Sequence, residues 1–418
     1  MRRLILVASL ALPALVGVVT FPAAASEPAS VLGWAILLAL GQLLRVPAPS
    51  GNRFNLGLAV AVALPLTMQI PALGQDGVDG AGIAAAYALG LLASWALWPL
   101  SREGSSHLAG YVIGRMLGLL VLLGAFLTLR LALRPLAPLL QEAADGWAVL
   151  DLIALTGAGL VWYGVESLLR AITGLGSEPG SLRYLWLLAL GDWMVMVSLF
   201  ATGALFGLAW QGIGWWAILV AGLPYAFSHL AFLRSFDTRR TYRQTIGALS
   251  RIPEVAGLSP NGHGHRVAEL SVAIAQDLGL RPEEVTELEY AALMHDIGRI
   301  TLNEPSILKA GFTDEDIARW GSEIISEAPY LEHVSTLVRE QHHPYRRPGE
   351  ERDLGLPMAS KIIKAASAFD HATDDLGFPV LEALELLHRG AAYDFDPQVV
   401  HTLRRVVERT RHQPNLRK

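Results

Sequence analysis

Long apolar runs alternate with short polar breaks over the first 234 residues, and the pattern then changes. Crossing the hydrocarbon core of a bilayer takes roughly 20 mostly apolar residues in a helix. Runs close to that length lie near 4–24, 29–46, 54–73, 81–100, 108–129, 147–170, 183–208 and 211–233. Turn-forming and charged residues separate them, for example Pro47 and Pro49 between Arg45 and Arg53, and the stretch from Gly174 to Ser181. The pattern predicts eight spanning helices. Arg2-Arg3, the first apolar run and Ala23-Ala24-Ala25 also fit a cleaved signal peptide, which would leave seven spans. Either count puts the end of the last span on the same side.

Beyond residue 234 the apolar positions recur at helical spacing with polar residues between them. Ser235 to Leu258 is charged and helix-compatible and reads as a connecting helix. Val267, Leu270, Ile274 and Leu278 mark one amphipathic helix that Gly279 ends. Pro282 with Glu283 and Glu284 opens the next, which carries Val285, Leu288, Ala292 and His295. Thr313 and Asp316 have the spacing of a capping box, and Asp396-Pro397 opens a final helix. The expected architecture is all-α: a polytopic transmembrane bundle over 1–234, a connecting helix over 235–258, and a helical domain over 259–418.

Charge sharpens this division. Residues 1–234 hold 11 arginines, no lysine and 10 acids, whereas the last 184 residues hold 22 basic and 28 acidic residues. The first part is poor enough in charge to live in lipid; the second has ordinary soluble composition. Under the eight-span count, Arg2, Arg3, Arg45, Arg53, Arg102, Arg170, Arg183 and Arg234 share one side and only Arg130 and Arg134 face the other. The arginine bias makes the first side cytoplasmic, and with it the C-terminal domain, in an inner cell membrane. Lipid is then the partner of the first part. Arg115, Asp151, Glu166 and Asp192 are expected to pair inside the bundle or sit near span ends, and the tryptophans at span ends to act as interface anchors. No paired, broken spans of a transporter repeat appear. The absence of cysteine excludes thiol catalysis and thiolate-bound metals, and a net charge of −5 gives no basic surface for a nucleic-acid polymer.

Ten of the twelve histidines fall in the second part. His263 and the doublets His295-Asp296 and His342-His343 stand out on an Ala- and Leu-rich helical frame. Imidazole nitrogen with carboxylate oxygen suits a divalent ion such as Fe, Mn or Zn. One or two such ions would supply a nucleophile near neutral pH and stabilise the oxygens of a phosphoryl displacement.

His263-Gly-His-Arg266-Val-Ala, then Ala291-Ala-Leu-Met-His295-Asp296-Ile-Gly298-Arg299, resembles the HD superfamily of metal-dependent phosphohydrolases. Within it, the chain is most similar to the HD-GYP group, which hydrolyses cyclic di-GMP. Ile307 to Glu315, Gln341-His342-His343, Leu356 to Asp370 and Phe395-Asp396-Pro397 follow the same order over about 245–410. The resemblance implies a cytoplasmic nucleotide or cyclic-dinucleotide ligand. It implies metal ligation by His263, His295, Asp296, His342 and His343, with Asp296 and Arg299 in the catalytic machinery and Arg299 steadying a phosphate oxygen. It also exposes departures. Pro344 follows the double histidine where the group has glutamate, and the Gly-Tyr-Pro signature is absent. Ser259 and Ser367 stand where the group has a glutamate and a metal-binding aspartate. A histidine-proline pair before Gly321 is missing, and Asp370, His371 and His333 are the candidate substitutes. The five named side chains should converge on one cavity. The second reading is a degenerate HD domain that binds nucleotide, metal or a partner and signals without hydrolysis, in either case as a homodimer joined through the connecting helix.

Overall fold

The computed structural model describes residues 2–20, 22, 28–48, 53–67, 80–97, 108–136, 146–174, 180–303, 311–347, 349–351 and 353–412. Ala23-Ala24-Ala25, Arg102, Ile307 to Ala310 and Pro348 lie outside them. The fold is all-α, as the periodicity predicts. The first helices are α1 (Arg2–Thr20), α2 (Pro28–Leu43), α3 (Gly57–Leu66), α4 (Gly80–Leu97), α5 (Leu108–Leu133) and α6 (Gly146–Gly174). They are followed by α7 (Leu182–Leu190), α8 (Trp193–Ile213) and α9 (Ala217–Leu249). A two-stranded antiparallel ribbon, β1 (Arg45–Pro47) with β2 (Arg53–Asn55), turns the chain where the sequence has its Arg- and Pro-bearing break.

The chain divides into two compact units, Met1–Leu169 with Ala189–Asp237, and Arg170–Leu188 with Thr238–Lys418. Among the described residues four helices are long and apolar enough to cross a membrane: Gly114–Leu136, Val149–Ile172, Trp193–Trp210 and the run Gly214–Val255. The described parts of four further apolar helices, Leu10–Thr20, Pro28–Gln42, Gly57–Leu66 and Gly80–Ala96, stand at the remaining expected positions. The polar groups at depth are paired: Arg130 lies 2.7 Å from Asp151, and Arg115 4.0 Å from Glu166. Trp210 does not stand apart as an anchor. It packs 5.0 Å from Trp34, ring centre to ring centre, and 4.3 Å from Trp215.

The span expected over 183–208 is two helices, α7 and α8. Tyr184 and Leu185 are buried in the second unit's core with Val267 and Ile274. Ser181 N and Oγ both donate to Gln276 O, at 2.9 and 3.1 Å, and Gln276 Nε2 donates to the Tyr184 hydroxyl at 3.3 Å. Apolar side chains that a lipid would accept are buried here in protein instead.

The second unit continues with a single helical turn at Ile252–Val255, then α10 (His263–Leu278), α11 (Pro282–Met294), α12 (Asp314–Ser326) and α13 (Glu332–Arg339). Helices α14 (Met358–Asp370), α15 (Val380–Arg389) and α16 (Pro397–His412) complete it. The punctuation follows the sequence. Gly279 caps α10 in the left-handed region at φ 74°, Pro282 opens α11, and Thr313 and Asp316 form a reciprocal capping box on α12. Val267, Ile274, Leu288, Val338, Ile362 and Leu403 fill the core. Each such burial contributes about 1.5–3 kcal/mol.

Ala392 is the one non-glycine residue with positive φ among the described residues, at 75° in the turn before Asp396-Pro397. That conformation costs an L-residue roughly 1–2 kcal/mol, while glycine adds about 0.4–1 kcal/mol of unfolded-state entropy. Ala392→Gly is therefore expected to stabilise by about 0.5 kcal/mol, read as a rise of about 1–2 °C in the thermal midpoint.

Candidate metal centre

Three elements bring the predicted ligands together. His263 begins α10 directly after Gly262, whose φ of 75° turns the chain into the helix. Gly264 lets α10 approach α11 closely, since a Cβ there would stand 3.2 Å from Leu293 O. His295 caps the end of α11, and Asp296 leads into the 3-10 turn Ile297–Asn303. His263 and His295 are 5% and 2% exposed, so their imidazoles must satisfy their polar atoms within the protein or on an ion.

His295 Nδ1 lies 2.8 Å from Ala292 O, a pure acceptor, so Nδ1 carries the proton and Nε2 a bare lone pair. His263 Nδ1 lies 2.7 Å from Asp370 Oδ2. Asp370 is an ionised acceptor: burial raises its carboxyl, but hydrogen bonds from His263 and Arg266 outweigh this and hold it below its ordinary value. His263 Nδ1 therefore donates as well, which turns its Nε2 toward His295. The two Nε2 atoms face each other at 3.2 Å, and Asp296 oxygens stand 3.9 Å from His263 and 3.7 Å from His295. At that distance the two nitrogens share a proton or turn together toward a cation beside Asp296. Two imidazole nitrogens and a carboxylate oxygen, all within 4.8 Å of one another, make a donor set that fits one divalent ion.

Asp296 is anionic. Burial pushes its carboxyl up, but the adjoining His295 imidazole, the Arg299 guanidinium and the Ser259 hydrogen bond more than reverse this, and it lies well below the carboxylate range. Arg299 Nε stands 2.8 Å from Asp296 Oδ1 as an ion pair without hydrogen-bond alignment. Ser259 Oγ donates to Oδ2 at 2.8 Å. Burial pushes the His295 imidazole down, which keeps it neutral and available as a ligand, so Arg299 and Ser259 sustain the Asp296 charge.

The other predicted ligands are placed differently. His342 is half-buried and lies within electrostatic reach of His295 and Asp296, but is not among the three mutually close donors. Burial lowers its imidazole as well, with Asp314 opposing. His343 turns its Nδ1 to the Glu340 carboxylate, one helical turn back. Lys364 Nζ donates to the carbonyls of both histidines at 3.2 Å, fixing the loop that carries them.

None of the three candidate substitutes joins the group. Asp370 reaches His263 from behind, His333 pairs with Glu287, and His371 pairs with Asp375. Ser367 Oγ stands 3.5 Å from His295 Nε2, so a hydroxyl occupies the place where the resemblance implies a carboxylate.

The residues that sequence reasoning missed stand behind the ligands. Arg266 grips Asp370 through Nε and Nη2 at 2.7 and 2.9 Å and reaches Asp374 at 2.6 Å. Gln341 Nε2 donates to His295 O at 2.9 Å. Arg266, one turn from His263, was the available signal. Its partners lie more than 100 positions away.

Residues 262–372 match the family described as HD domain. The cyclic di-GMP phosphodiesterase response regulator RpfG of Xanthomonas campestris is 28% identical over 193 residues, which cover 42% of this chain and 50% of that protein. A cyclic di-GMP phosphodiesterase of Thermotoga maritima is 26% identical over 38% of this chain and 47% of its own length. The 3'3'-cGAMP-specific phosphodiesterase 3 of Vibrio cholerae is 25% identical over 45% and 43%. The chain thus spans about half the length of the curated relatives it matches.

Proposed function

We propose that this chain is a membrane-anchored HD-type phosphohydrolase acting on a cytoplasmic nucleotide or cyclic dinucleotide. The observation that carries this reading is the pair of Nε2 atoms facing each other at 3.2 Å beside an ionised Asp296, all three donors lying within 4.8 Å of one another. His263, His295 and Asp296 hold one Fe, Mn or Zn ion, which when bound supplies Lewis acidity and a nucleophile near neutral pH. His342 and His343 lie next in line, and a second ion would draw on them. Asp370 and Arg266 fix the His263 ring, and Arg299 holds Asp296 and presents a guanidinium to a phosphate oxygen. The relatives' activities on cyclic di-GMP and 3'3'-cGAMP support the substrate class. The apolar helices of the first unit anchor the chain in the cell membrane, with the metal site on the arginine-rich, cytoplasmic side. This region controls the site, and the chain pairs as a homodimer through the connecting helix.

A second reading has its own observations. Ser259 and Ser367 are hydroxyls beside the triad, and His343 is engaged by Glu340. A site so reduced in carboxylates would bind a metal or nucleotide and signal without turnover.

The 418-residue protein, purified in detergent from iron-, manganese- and zinc-supplemented cells, separates the two. About one metal equivalent per chain with hydrolysis of cyclic di-GMP or 3'3'-cGAMP is expected on the first reading. Metal without hydrolysis selects the second, and a protein with neither metal nor turnover refutes both.

A further inference from the structure

A cavity of about 650 Å³ lies in the second unit, lined by the end of α9 and by the loop and first turn that lead into α10. Its walls include Gly262 and His265, which flank His263, but not the triad itself. Gln244, Arg251, Glu254, Asn261 and His265 line it. Among the described residues their side chains make no hydrogen bond or ion pair. Several arginines elsewhere in this unit are tied down: Arg281 by Glu284, Arg319 by Asp316, and Arg405 and Arg409 by Asp277. Arg243, also in the lining, is held by Glu289.

A volume of this order accommodates a metabolite-sized ligand. The Arg251 guanidinium in the lining favours an anion, and its planar fork suits phosphate. Glu254 and the two side-chain amides would take up the N–H, O–H and carbonyl groups of the rest of the molecule.

The loop that forms one wall is bonded to both sides of the triad. Ser259 Oγ donates to Asp296 at 2.8 Å. Asn261 O accepts from Arg266 Nη1 at 3.0 Å, and Arg266 in turn holds Asp370 against His263. A ligand that draws on Asn261 or Gly262 therefore pulls on groups that set the position of Asp296 and of the His263 ring.

We propose that this cavity binds a phosphorylated, nucleotide-sized small molecule, and that the loop from Leu258 to Gly262 transmits its occupancy to the metal triad. The inference does not depend on the triad being hydrolytic.

Inorganic pyrophosphate, titrated calorimetrically into the EDTA-treated 418-residue protein in detergent, is the first probe. Saturable one-site binding is expected. Arg251 and His265 are exposed, so the double variant Arg251→Ala/His265→Ala should fold; it is expected to bind about tenfold or more weakly, as loss of charge-assisted contacts implies. His295→Ala is expected to bind as the parent does. No saturable heat, an unaffected double variant, or loss of binding in His295→Ala overturns the site; the last would put the anion at the triad. Hydrogen exchange with the same probe tests the transmission. Slower exchange is expected in segments 258–266 and 294–300 of the parent, and only in the first segment of Ser259→Ala. Exchange unchanged over 294–300 in the parent overturns it.

Discussion

His295→Ala protein is expected to bind a divalent ion about 100-fold or more weakly than the parent while keeping its fold. Removing a group that merely supports a ligand costs about 10–100-fold in metal affinity, and His295 is itself one of three donors. Its Nε2 is committed to the site because its Nδ1 proton goes to Ala292 O. The backbone should tolerate the change, since Gln341 bonds the carbonyl of residue 295 and not its ring. Asp370→Asn supplies the graded control. It keeps the size of the side chain but removes the charge that orients His263 and anchors Arg266. A loss of about 10–100-fold is expected for it. Competition against a chelator of known affinity measures both. The triad assignment fails if His295→Ala competes as well as the parent, or if Asp370→Asn is the more damaging of the two.

The triad was legible in the sequence because its members carry their chemistry in their identity. A histidine at a helix start and a His-Asp doublet at a helix end are few enough to notice, and the caps at Gly279, Pro282 and Thr313 place those helices correctly. The neighbouring doublet was less legible. Spacing alone gives His343 the same standing as His342, and only the structure shows the Glu340 carboxylate drawing it aside. Asp370 was visible as a carboxylate one turn beyond Ser367, but its engagement by Arg266 was not, because a pairing 104 positions apart leaves no local pattern. The start of the seventh expected span failed for a different reason. Leu182 to Leu190 is as apolar as a membrane segment, and hydropathy cannot distinguish burial against Val267 and Ile274 from burial in lipid.

Gly298→Ala is expected to unseat the metal site without touching a ligand. A Cβ on Gly298 would stand 2.0 Å from Ile317 O and 2.7 Å from Gly321 N, both backbone atoms of α12. A flexible side chain could move aside, but here a helix or the 3-10 turn must move. Overpacking typically costs about 1–3 kcal/mol, and with backbone on the opposing side the upper end is expected. For a unit of this size that corresponds to a midpoint lower by about 6–12 °C. The turn that would shift begins immediately after Asp296, whose carbonyl accepts from Arg299 N at 3.0 Å. Metal affinity should therefore fall together with stability. Gly321→Ala is the matched comparison, because its Cβ would meet Gly298 N only at 3.2 Å and side-chain carbons at 3.4 Å. Small displacements relieve those contacts, so Gly321→Ala should melt much nearer the parent and keep its metal. Thermal melts and chelator competition on the two variants give the answer. Equal behaviour of the pair would mean that the closeness of α12 to the His295-Asp296 turn does not set the geometry of the site.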